Sequence, residues 1–97
     1  MTRSARVTVI FAGKVLAVDT EATYVITRDE SVEWFGTILL PGLDPQSLPK
    51  FGDRIEILLP ATGERATAIT KHVDPKTSEL VFEGYGDPPK SFLRFAK

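Results

Sequence analysis

One histidine and no cysteine decide most of the chemistry open to this chain. A hydrolytic triad would have to use His72 as its base. Ser4, Ser31, Ser47, Ser78 and Ser91 all lie near chain breaks, and none stands in a nucleophile-elbow motif. His72 falls at the end of an expected strand beside Lys71 and Asp74, which reads as a surface position. A single imidazole with scattered carboxylates offers no ligand set with zinc spacing. The stretch from Asp44 to Asp53 does not match a calcium loop. Glycoside chemistry would need two acids facing one cleft. Glu33, Glu56 and Glu83 sit on expected strands, where a wetted face accounts for them equally well. Gly84-Tyr85-Gly86 lacks the third glycine, the Lys-Ser/Thr pair and the following helix of a phosphate loop. No catalytic residue, metal ligand or cofactor is assigned on these grounds, and the chain reads as a non-enzyme.

Binding residues are easier to name. Trp34, Phe35 and Tyr85 are the candidates for contact with a small apolar ligand at a barrel mouth. Charge is also unevenly placed. Residues 1–18 carry Arg3, Arg6 and Lys14 without an acid, and residues 88–97 carry Lys90, Arg94 and Lys97 without an acid. The middle of the chain holds the other six bases against all 13 acids, a net of −7. If the two ends meet in the fold, Arg3, Arg6, Lys90 and Arg94 form a basic patch with Phe92 and Phe95 nearby. Basic and aromatic residues together suit single-stranded nucleic acid or an acidic protein surface.

The elements that must position these residues are strands. Residues 32–40 hold the only tryptophan, are rich in β-branched and aromatic residues, and carry apolar side chains on both parities. They read as an inner strand, with Gly36 marking a bulge, a bend or a close backbone approach. Before it, residues 7–12 and 14–18 read as one long strand bulged at Gly13. A polar break at 19–21 follows, and then a strand at 22–27. Proline and glycine punctuate 41–53, which leaves room for one short helical turn at 44–48, with Asp44 as cap and Pro45 as first residue. Leu43, Leu48 and Phe51 are expected to tuck beneath that loop. Residues 54–59 alternate cleanly, with Ile55, Ile57 and Leu59 inward. A Gly-containing hairpin leads to 65–73, where Ala66 and Ala68 leave space for a close neighbour. A turn at 74–77 leads to 79–85, and residues 91–96 read as a short seventh strand or a frayed tail. Turn signals about every ten residues indicate an all-β fold. The expectation is one domain over residues 1–97, a small antiparallel β-barrel or sandwich of six to seven strands, with residues 1–5 as a loose lead-in.

The totals agree with this reading. The chain of 97 residues has a net charge of −1, so bulk charge argues neither for nucleic acid nor for a membrane surface. The apolar run near the N-terminus is too short for a signal core or a span. The expected setting is cytoplasmic. Three stretches also carry a likeness: Trp34-Phe35-Gly36, the alternating strand and hairpin from Arg54 to Thr70, and Gly84-Tyr85-Gly86-Asp87-Pro88-Pro89. In order and spacing they resemble a family of small uncharacterised actinobacterial β-domains, some fused to flavin-dependent monooxygenases. Thr37 stands where that pattern carries Arg. The resemblance implies a bacterial accessory or ligand-binding domain. The reading is a non-catalytic binding module for a protein partner or for self-association as an oligomer. A nucleic-acid binder of OB or SH3 type and a small-ligand barrel with acid/base activity are the alternatives.

Overall fold

The computed structural model describes residues 2–28, 32–40 and 45–94. Its strands are β1 (Arg3–Phe11), β2 (Lys14–Arg28), β3 (Val32–Leu39), β4 (Arg54–Leu59), β5 (Glu64–Asp74) and β6 (Glu79–Tyr85). A 3₁₀ turn at Pro45–Ser47 lies inside the stretch expected to make one helical turn, and the helix α1 covers Lys90–Arg94. The Asp44 cap and Leu43 fall outside the described residues. The six strands close into one barrel in the order β1-β2-β3-β6-β5-β4, each antiparallel to its neighbours. Among the described residues there is no seventh strand. The β6 ladder ends at Tyr85, Gly86 turns the chain, and Pro88 and Pro89 bar further strand pairing just before the helix at 90–94.

Three expectations about the first half of the chain are corrected. Residues 3–5 are not a loose lead-in, because Arg3, Ser4 and Ala5 belong to β1 and pair with Tyr24, Thr23 and Ala22. Gly13 is not a bulge within one strand. Ala12 and Gly13 have φ of 53° and 79°, and they reverse the chain as a two-residue hairpin. Such hairpins need positive φ at both central residues, and Asn-Gly or Asp-Gly usually marks them. Alanine in the first place hides the turn from a reader of the sequence. The polar residues 19–21 are not a break either, because β2 runs straight through them. Asp19 takes φ 53°, within an irregular stretch where Val7 faces Thr20 and Val9 faces Ala17. A short polar side chain tolerates that conformation better than most.

β3 lies between β2 and β6, as an inner strand should. Gly36 is there for a close approach. A Cβ at that position would lie 1.9 Å from the Thr23 carbonyl oxygen on β2. Trp34 and Ile38 point inward and are buried, whereas Phe35 is 42% exposed on the outer face. On β4, Ile55, Ile57 and Leu59 are buried and Arg54 and Glu56 exposed, as their alternation requires. Ala66 and Ala68 are buried opposite Ile57 and Ile55.

Side chains fill the barrel. One end is closed by Leu40 and Leu48, with the Leu40 amide donating to the Ser78 carbonyl at 2.8 Å. Phe51, expected beneath the adjoining loop, is instead 77% exposed. Its ring lies 5.7 Å from the Lys71 ammonium. The other end is closed by Phe92 from α1. The Glu64 carboxylate holds that helix, accepting hydrogen bonds from the Ser91 amide at 3.3 Å and from the Ser91 hydroxyl. These bonds, with a third from the Thr62 hydroxyl, hold the Glu64 carboxyl below the usual carboxylate range. Among the described residues the buried polar side chains are Thr8, Thr20 and Thr70, and no acid, lysine, arginine or histidine is buried.

Candidate binding groove

The groove starts where a ladder stops. β3 and β6 pair from Leu39 opposite Glu79 up to Phe35 opposite Glu83, and no further. The next pair would set Trp34 against Gly84. The indole lies so close over Gly84 that a Cβ there would stand 2.1 Å from its Cε2 and Nε1. Glycine is therefore the residue that lets the indole lie across this strand. Gly86 then turns the chain with φ 82°, and its carbonyl accepts the Trp34 Nε1 proton at 3.0 Å. Of the two glycines around Tyr85, the first makes room for a ring and the second makes the turn.

Past the last pair the two strands part, and the gap is an open groove of about 690 Å³. Trp34 and Phe82 form its floor. Val32, Glu33 and Phe35 line it from β3, Val81 and Glu83 from β6, Asp87 from the following turn and Lys71 from β5. Lys71 Nζ reaches Glu83 Oε2 at 3.1 Å. Both groups are solvated, so this pair contributes little to stability. Glu33 and Asp87 have no ion-pair partner among the described residues. Three acids against one lysine leave the groove negative, around an apolar strip of Val32, Phe35 and Val81.

The residues expected to bind a ligand are thus divided. Trp34 and Phe35 line the groove. Tyr85 turns away from it, 53% exposed, with the Arg54 guanidinium 4.6 Å above its ring. Two of the strand acids singled out by sequence, Glu33 and Glu83, share the groove, while Glu56 bonds Arg65 elsewhere at 3.4 Å. Lys71 and Asp87 come to it only through the β5–β6–β3 order. No local pattern in the sequence could have nominated them.

The basic residues are divided: Arg6 lies beside Leu39 and Thr77, toward the end of the barrel away from α1, so the expected patch does not include it. Arg3 on β1 pairs with Tyr24, whose ring stacks on Phe92 of α1. Arg6 is engaged, with its Nε 3.1 Å from Asp19 Oδ1. That contact raises the Arg6 pKa, first through the hydrogen bond and then through the charge. Lys90 opens α1 and is exposed. The Arg94 side chain, like Phe95 and Lys97, lies outside the described residues. His72 is exposed. Among the described residues no group of three or more His, Asp or Glu could hold a metal ion. No helix there is long and apolar enough to cross a membrane. No family model, curated protein or solved structure matches this chain.

Proposed function

We propose that this barrel is a non-catalytic binding domain that takes a segment of a protein partner in the groove between β3 and β6. The observation that carries this reading is the groove's make-up, an apolar strip between unpaired acids over a solid floor. The interior supports it as well, since side chains fill the barrel, and among the described residues the buried ionisable group is the Tyr24 phenol, whose pKa burial pushes up. A fitting partner segment is extended and alternates apolar with basic side chains. Its apolar groups would cover Val32, Phe35 and Val81, and its cations would lie against Glu33 and Asp87. The resemblance of Trp34-Phe35-Gly36 and of the run from Gly84 to Pro89 to accessory β-domains favours the same role, because those stretches build the groove.

Titration with a short peptide alternating lysine and valine tests this, with Trp34 emission as the readout and the glutamate–valine peptide as the control. The lysine peptide is expected to bind, and the pair Glu33→Lys and Asp87→Lys to weaken it at least about tenfold. Equal affinity for both peptides, or indifference to the charge reversal, would count against the groove.

A further inference from the structure

The barrel end beneath α1 shares Trp34 and Phe82 with the groove and adds Tyr24 and Phe92 to them. Phe92 enters between two aromatic walls. Tyr24 stacks on it face to face, with centroids 3.8 Å apart and planes 8° apart. Trp34 meets it edge-on at 5.9 Å and 78°, and is itself buttressed by Phe82 at 5.6 Å and 64°. A parallel plate beside a perpendicular wall is a slot for one flat ring. Nothing in that arrangement requires the ring to belong to the same chain.

Phe92 is 1% exposed and packs on Tyr24 and Trp34, but the helix that carries it is short. α1 is five residues long and belongs to none of the six ladders that close the barrel. A helix so short has almost no stability of its own. Among the described residues its polar tether to the strands is the Glu64 carboxylate, which accepts from the Ser91 amide and hydroxyl and from the Lys90 amide, while the Phe92 amide bonds to nearby Pro89. The chain leading into α1 passes through Gly86 and Asp87, which form one lip of the groove. Release of the helix would therefore join the groove to the slot without breaking a strand pair.

We propose that this slot is a self-occupied binding site for a flat, uncharged aromatic group, with Phe92 standing in for the ligand. α1 is then a strap that leaves as the ligand enters. The walls of the slot select the class, since they offer ring faces and edges and no buried charge. This inference is independent of peptide binding in the groove.

The test uses the full chain and p-cresol as probe, with 4-methylcyclohexanol as its saturated analogue. Phe92→Ala empties the slot, so p-cresol at about 10 mM should raise that variant's melting temperature by about 3–6 °C, the shift mass action gives for a Kd of a few millimolar. Glu64→Ala frees the strap and keeps the ring. It should bind p-cresol at least about threefold tighter than the unaltered chain, because the open state is more populated. Hydrogen exchange at the Ser91 and Phe92 amides should quicken as p-cresol binds. Equal response to the saturated analogue would overturn the aromatic slot. Identical affinity in Glu64→Ala and the unaltered chain would overturn the strap. Should Phe92→Ala fail to fold, the Glu64→Ala comparison decides alone.

Discussion

Replacing Gly84 by alanine asks whether the indole of Trp34 sets the shape of the groove. The new methyl carbon would stand 2.1 Å from two indole atoms, where ordinary contact needs well over an ångström more. The ring cannot simply slide aside. Phe82 and Phe92 meet it edge-on, and its Nε1 proton is committed to the Gly86 carbonyl. Forcing a methyl into a packed core costs about 1–3 kcal/mol. Pulling the buried indole N–H off its acceptor adds about 1–3 kcal/mol. The stiffer unfolded chain offsets about 0.4–1 kcal/mol of this. The net is a destabilisation of about 1–5 kcal/mol, or a fall in Tm of roughly 4–40 °C for a domain of this size. Urea unfolding followed by circular dichroism measures it. The emission of the sole tryptophan, which is 1% exposed, should shift to the red in the folded variant. In a Trp34→Phe background most of the penalty should vanish, leaving a coupling above about 1.5 kcal/mol. A cost below about 0.5 kcal/mol, or the same cost in both backgrounds, would refute the steric account.

Three further outcomes rest on single positions. The Thr70 hydroxyl is buried without a hydrogen-bond partner among the described residues, so Thr70→Val should stabilise the barrel by about 1 kcal/mol in urea melts. Ala12 occupies the left-handed region at φ 53°, and Ala12→Gly should relieve about 1–2 kcal/mol of strain against about 0.5–1 kcal/mol of lost chain entropy, raising the urea midpoint slightly. Glu64 has a folded-state pKa below its unfolded value, so the stability it contributes is present above the ordinary carboxylate pKa and is lost as pH falls through the depressed one. Loss of the Phe92 stacking signals, followed by NMR in acid, should accompany that titration, and Glu64→Gln should remove the pH dependence of the signals over this range.

Period-two alternation made much of this fold legible before any coordinates. Ile55, Ile57 and Leu59 declared an inward face, and proline and glycine declared where strands end. That information is local, because a strand's side chains alternate whatever it pairs with. Residues 32–40 as an inner strand were legible for the same reason, but at Gly36 a bulge, a bend and a close approach read alike until β2 was seen against it. The hairpin at Ala12–Gly13 was not, because alanine carries no turn signal and only the closed ladder forces it to positive φ. The helical end of the chain was missed too. Phe92 looked like a strand residue until the barrel mouth supplied rings for it to stack on.

The amino-acid order alone determined that this chain makes antiparallel strands around an indole, and that it has no thiol and a single histidine. The closing of the barrel decided the rest. Joining β3 to β6 and β4 to β1 set Lys71, Glu83, Glu33 and Asp87 around one gap, though they come from three strands and a turn. It also set Glu64 under Ser91, 27 residues along the chain. Such neighbours are made by strand order and by the width of one tryptophan, and neither leaves a mark in the local pattern of residues.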